Sequence, residues 1–176
     1  MRQIIKMRMT TSTDFTTIIK EIYMPCGLNI SNLRLEKESK EYEASTYQLN
    51  ALKIKARRSK ITPKKIGQFV TLWKRNINGE TTPLEDSDDI DFIVITSGEE
   101  LHLGQFVFPK SILMAKGIVS HGKKSGKRGF RVYPPWVRPT NQTALKTQKW
   151  QLEYFMTIQQ NFKTDLHKAA ALFRLS

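Results

Sequence analysis

Cysteine is nearly absent: Cys26 is the only one among 176 residues. An internal disulfide is excluded, and a lone thiol fits a reducing, cytoplasmic setting. The same scarcity removes zinc, because one cysteine and the scattered His102, His121 and His167 offer no ligand pair at usable spacing. No apolar run approaches the roughly 18–20 residues that cross a bilayer. The opening MRQIIKMRMTTS has neither an unbroken apolar stretch nor a small-residue cleavage site, so neither a secretory leader nor a membrane partner is expected. In such a setting the Asn-x-Ser/Thr triplets at Asn29 and Asn141 are chance matches. A Gly-x4-Gly-Lys-Ser/Thr phosphate loop is missing as well. Gly122-x3-Gly126-Lys127-Arg128 has the wrong spacing and lacks the hydroxyl that would hold Mg²⁺. No cofactor and no metal are expected.

Acidic residues are also few. Lys and Arg number 29 against 16 Asp and Glu, a formal charge of +13 that exceeds what solubility needs and points to a polyanionic partner, nucleic acid first. The imbalance is local. Ala51–Arg75 holds nine basic residues and no acidic one, Glu80–Glu100 eight acidic and no basic, and Leu101–Leu152 ten basic and no acidic. The acidic stretch centres on Glu85-Asp86-Ser87-Asp88-Asp89, which reads as a solvated turn before a strand.

With 39% hydrophobic residues, a packed interior is expected, and the length fits one domain over 1–176. Residues 12–24 read as a helix, with Asp14 as its cap, an apolar stripe of Phe15, Ile18, Ile19 and Ile22, and a stop at Pro25-Cys26-Gly27. A strand-rich core follows over 46–158. Leu52–Arg57 alternates strictly, 67–73 and 92–96 are apolar on both faces and read as central strands, and 101–108 and 130–133 are further strands. Pro109–Lys116 reads as a short helix closed by Gly117. Trp150, Leu152, Tyr154, Met156 and Ile158 alternate like a long strand, and 161–175 is an amphipathic C-terminal helix. The fold class is α+β: a strongly curved, barrel-like, mostly antiparallel sheet flanked by N- and C-terminal helices. One internal echo, Gly67-Gln68-Phe69-Val70 and Gly104-Gln105-Phe106-Val107, suits two equivalent strands of a pseudo-symmetric barrel, or chance.

Two constellations carry chemistry. The first is the loop from His121 to Arg131, where Lys123, Lys124, Lys127, Arg128 and Arg131 stand among glycines that make the loop flexible and let backbone N–H groups approach phosphate. Tyr133 and Trp136 follow at once, as cations followed by rings suit a single strand whose bases stack. The second is the strand face and turn with Lys53, Lys55, Arg57, Arg58, Lys64 and Lys65. Same-face side chains on a strand are about 6.5–7 Å apart, close to the phosphate spacing of one nucleic-acid strand. Single-stranded DNA or RNA is therefore expected ahead of duplex. A divergent metal-dependent nuclease is the first alternative, although Glu38-Ser39-Lys40 with Asp14 upstream, which fits the letters of a nuclease motif, reads as an accidental match in a polar stretch without strand character. An acidic protein partner is the second.

Four segments, ITPKKIGQFVTLWKRN (61–76), LGQFVFPKSIL (103–113), GKRGFRVYPPW (126–136) and TQKWQLEYF (147–155), resemble the MepB family. These are small bacterial proteins often encoded beside a MarR-type repressor and a multidrug efflux pump. The resemblance spans about 42–160. It implies a cytoplasmic, non-catalytic nucleic-acid-binding protein whose fold is similar to barrel-like DNA-binding modules of some type II restriction enzymes. Where family members carry a Gly-containing turn after Leu49-Asn50, this chain has Ala51-Leu52, which weakens the case for a tight hairpin there.

Overall fold

The structure, a computed structural model, describes residues 12–158 and 166–174. Helix α1 (Thr13–Ile18) runs directly into a π-helical turn (Ile19–Tyr23), and both bury isoleucines. Ser12, not Asp14, is the cap: its hydroxyl accepts from the Phe15 N–H, while Asp14 sits in the first turn and pairs with Arg58. The strands follow as β1 (Ile30–Leu35), β2 (Ser45–Leu49), β3 (Leu52–Arg58), β4 (Lys60–Thr62), β5 (Lys65–Thr71), β6 (Lys74–Arg75), β7 (Thr81–Thr82), β8 (Phe92–Glu99) and β9 (His102–Pro109). After helix α2 (Lys110–Ala115) come β10 (Gly129–Val132), helix α3 (Gln142–Leu152), β11 (Phe155–Thr157) and helix α4 (Leu166–Arg174). The beginning of the expected C-terminal helix, 161–165, lies outside the described residues.

Six strands form a mixed, largely antiparallel sheet in the order β1-β2-β3-β8-β9-β11, with β3 and β8 parallel. A second sheet has the order β10-β5-β4, and β6 pairs with β7. β8 is buried on both faces. Phe92 and Val94 pack with Ile18, Ile22, Leu172 and Phe173 of the helices, whereas Ile93 and Ile95 pack with Val70, Leu72, Phe130 and Val132 of the small sheet. The large sheet is thus the middle layer of an α+β domain.

Four expectations are corrected here. The sheet is open rather than barrel-like, with β1 and β11 as free edges. The parallel β3–β8 pair requires a long crossover, and that crossover carries β4 to β7 out of the main sheet, so the expected strand at 67–73 is central to the small sheet instead. The expected long strand at 150–158 is divided: α3 runs to Leu152, a turn follows, and only Phe155–Thr157 pairs with β9. Finally, the hairpin at 49–52 is tight, with Leu49 opposite Leu52 and Asn50 taking the left-handed conformation at φ 54° in place of glycine.

Candidate nucleic-acid interface

In β5 and just beyond it, burial alternates strictly. Gln68, Val70 and Leu72 point into the core, leaving Gly67, Phe69, Thr71 and Trp73 on the outer face of the small sheet. β10 pairs with it antiparallel, with Arg131 opposite Phe69, so Gly129, Arg131 and Tyr133 share that face. Glycine is needed twice. A Cβ on Gly67 would lie 2.6 Å from the Tyr133 ring, and one on Gly129 would lie 2.6 Å from the Phe69 ring. Both rings therefore rest over bare backbone.

Cations interleave with these rings. The Arg131 guanidinium lies 5.8 Å from the Phe69 centroid, Lys60 Nζ 5.1 Å from that of Tyr42, and Arg75 5.5 Å from that of Trp73. Arg131 also donates from Nη1 to the carbonyls of Lys65, Ile66 and Gly67 and from Nη2 to Thr62 Oγ1 at 2.6 Å. It thereby fixes the turn that presents the exposed Lys64 and Lys65.

The loop leading into β10 is built rather than loose, which corrects the expectation of a flexible glycine-rich segment. His121 and Lys124 exchange two backbone hydrogen bonds across a turn in which Gly122 has φ 57°. Gly126 packs against the backbone at Ile118, its N–H donating to Ser120 Oγ at 2.9 Å, and the Lys127 N–H donates to the Ile118 carbonyl. Lys123, Lys124 and Lys127 project from this frame, exposed and without an ion pair among the described residues. Arg128 is exposed too, its Nη1 donating to Thr81.

Along the outer edge of β10 runs a cleft of about 340 Å³ whose wall includes Lys116, Lys127, Arg131, Tyr133, Trp150 and Gln151, with no carboxylate among its lining residues. Lys116 Nζ stands 5.2 Å from the Trp150 ring centroid. Lys116, Trp150, Phe69 and Tyr42 were not legible as site residues. They come from a helix end, another helix, a strand and a 3-10 turn (Lys40–Tyr42), and only the fold brings Lys116 and Trp150 beside Lys127 and Arg131, Phe69 under Arg131, and Tyr42 against Phe69.

The strand face is different from the expected row of open cations. Lys55 and Arg57 are 9% and 3% exposed, because β3 lies inside the sheet and its second face is covered by the β1–β2 connection. Lys55 Nζ and Arg57 Nη2 bind the two oxygens of Glu36 at 2.6 and 2.7 Å. Burial, joined for Lys55 by repulsion from Arg57, holds both cations below their ordinary pKa despite that carboxylate. Burial raises the Glu36 carboxyl, yet Arg57 and Lys55 outweigh it and leave it below the ordinary value. Lys53 pairs with Asp89 at 2.5 Å, and Arg58 with Asp14. The acidic turn is tied down throughout, with Asp88 on Lys74 at 2.7 Å and Asp86 on His121 Nδ1 at 2.7 Å.

Trp136, expected as a stacking group, is already committed. Its ring stacks on His102 at 5.1 Å between centroids, meets Phe155 edge-on at 5.7 Å, and has its indole nitrogen buried. Asp14 and Glu38, the letters of the nuclease motif, are bound to Arg58 and Arg75. Among the described residues no three His, Cys, Asp or Glu side chains come together as a metal site, and no helix is long and apolar enough to cross a membrane.

A family model described as MepB-like matches residues 36–157. Among solved structures, the crystal structure of MepB is 37% identical with a TM-score of 0.72, over 76% of this chain and 89% of that chain. A bacterial homing endonuclease is 16% identical with a TM-score of 0.47, over 93% of this chain and 95% of that one, a likeness that carries no functional inference. No curated protein matches.

Proposed function

The chain belongs to the MepB-like family, and from that premise we propose that it binds nucleic acid, without cutting it and with little sequence preference, along the outer face and outer edge of its small sheet. The observation that carries this is the cleft beside β10: cations and rings line it, no carboxylate does, and it is continuous through Lys127 with the unpaired Lys123 and Lys124. Lysines and arginines at the loop follow phosphates, and Tyr133 and Trp150 offer ring surface to unpaired bases, a combination that suits a single strand. The Lys64-Lys65 turn lies at the opposite end of β5 from the loop. At about 3.3 Å per residue along the strand, the two phosphate-binding ends are roughly 20 Å apart, a span of several nucleotides.

The test is a salt titration of binding to labelled single-stranded DNA, duplex DNA and RNA, with Mg²⁺ added in a parallel series. Affinity is expected to fall log-linearly with salt and to rank single strands above duplex. No binding at about 50 mM salt overturns the proposal, and product formation with Mg²⁺ overturns its non-catalytic part.

A further inference from the structure

The pairing of Lys55 and Arg57 leaves a charge and a donor unmatched. Two almost fully buried cations share one directly bound carboxylate, Glu36, so the trio itself carries one net positive charge, offset at Lys55 only at longer range by Asp88, which Lys74 already binds. Arg57 Nη1 donates to the Ala56 carbonyl and Nη2 to Glu36, but Nε is buried with no partner among the described residues. Both features are costly in a protein interior: a buried cation only partly compensated and an N–H with no acceptor. An incoming anion would relieve both.

The place for one exists. Lys55, Arg57 and Glu36 form part of the wall of a second cleft, about 350 Å³, closed on other sides by Trp73, Lys74 and Arg75. Its other carboxylate, Glu38, is bound to Arg75 at 2.6 Å, and Lys74 is held from outside the cleft by Asp88 and Glu85. Trp73 gives the cleft one aromatic wall.

We propose that this cleft is a receptor for a phosphate monoester dianion, gripped by the Lys55 ammonium and the Arg57 guanidinium, with Trp73 against the group that the phosphate carries. The unpartnered Nε of a guanidinium beside an ammonium offers an oxyanion a charged donor on two sides, and the volume admits a phosphate with a sugar attached. Two sources present that chemistry: the phosphorylated end of a nucleic-acid strand, and a free nucleotide or sugar phosphate. The receptor rests on the Lys55–Glu36–Arg57 trio and not on the small-sheet reading; only the strand-end source depends on both.

The experiment uses the full chain in a phosphate-free buffer. Inorganic phosphate and a nucleoside 5′-monophosphate are titrated by calorimetry and thermal shift, against chloride at matched ionic strength. Phosphate is expected to raise the melting temperature where chloride does not, as any ligand of the native state alone must. Glu36→Gln removes the competing carboxylate, so it is expected to lower the melting temperature in chloride, to recover it in phosphate, and to bind phosphate on the order of tenfold more tightly. Lys55→Met is expected to lose the response. No phosphate-specific shift in the wild type, or a phosphate affinity unchanged in Glu36→Gln, overturns the receptor. Tighter binding of a 5′-phosphorylated oligonucleotide than of its 5′-hydroxyl twin supports the strand-end source; equal binding with the phosphate response intact supports the free ligand. Replacing Lys123, Lys124, Lys127 and Arg128 by alanine is expected to weaken oligonucleotide binding and leave the phosphate response whole, which separates the two proposals.

Discussion

At the scale of single residues, Gly67 and Glu36 each hold a position that its nearest chemical relative cannot. Gly67 adopts φ 85° with the Tyr133 ring over its Cα, so Gly67→Ala meets a strained backbone and a steric clash together. A loss of about 1–3 kcal/mol is expected in chemical denaturation, with Tyr133 displaced from the cleft and single-strand affinity reduced. A near-neutral result would mean that the turn rearranges. Glu36 couples to pH. Its carboxyl titrates below the ordinary 4.5 in the folded state, because the pull of Arg57 and Lys55 exceeds the effect of burial. The unfolded chain therefore takes up its proton first as pH falls. The stability this carboxylate contributes is complete above about 4.5 and is lost as pH drops through the lower, folded value. Glu36→Gln is expected to flatten that part of the acid-unfolding curve and to cost about 2–4 kcal/mol at neutral pH in a phosphate-free buffer, because two buried cations lose their counter-charge. The pairing was not legible in the sequence. The alternation of 52–57 places Lys55 and Arg57 on one face, but only the parallel β3–β8 pairing and the path of β1 bury that face.

At the scale of elements, period-two patterns were readable and one helix was not. β3, β5, β8 and β9 stand close to where alternation or continuous apolarity puts them, because burial against one or two layers leaves that signature directly in the side chains. Helix α3 leaves none. Its buried positions are Ala144 and Gln151; only its last turn packs apolar groups on the core, Trp150 and Leu152, while Gln148 and Gln151 dock it by hydrogen bonds. Gln151 accepts from the Tyr133 N–H and donates to the Arg131 carbonyl, both at 2.9 Å, continuing β10 as a partner strand would. The alternation from Trp150 to Ile158 is a chance one, and the helix starts at the Asn141 cap, whose Oδ1 accepts from the Ala144 N–H at 2.9 Å. Gln151→Met keeps the volume and removes both bonds. It is expected to cost about 2–4 kcal/mol by orphaning two strand-edge groups, and amide exchange should report loosening at Tyr133 before the rest of the small sheet. The Gly-Gln-Phe-Val echo has a physical content too, though in two different sheets. Gly67 and Gly104 each lie under a ring, Tyr133 and Phe155. Gln68 and Gln105 are each buried in a polar chain, the first accepting from Ser59 and the second from Tyr23, whose hydroxyl is pushed up to about 12 by burial against the bonds it makes to Tyr47 and Gln105.

At the scale of the whole molecule, the excess of positive charge is sorted rather than spread. The carboxylates of the acidic turn are spent on Lys53, Lys74 and His121, which holds that turn against the base of the basic loop and leaves Lys123, Lys124 and Lys127 unpaired among the described residues. Charge segregation along the chain was therefore a sound guide to where unpaired cations gather, although it could not tell that the strand-face cations are consumed internally. Because the loop is shaped by backbone hydrogen bonds and glycine conformations, its cationic side chains can be removed without touching what builds it. Replacing Lys123, Lys124, Lys127 and Arg128 together by alanine is expected to leave the melting temperature within a degree or two, and to lower the salt slope of single-strand binding by about 2–3, roughly 0.7 for each phosphate that is no longer neutralised. Asp86→Asn should act in the opposite direction. It removes a carboxylate that faces His121 at the base of the loop, so affinity at low salt is expected to rise a few-fold and the slope to steepen by less than a single neutralised phosphate would add. If the fourfold variant binds as tightly and as salt-dependently as the wild type, phosphate is being met elsewhere. The small-sheet face would then have to hold the strand through Lys60, Lys64, Lys65 and its rings alone. If both variants move as expected, the acidic turn sets how much of the loop's charge reaches the strand.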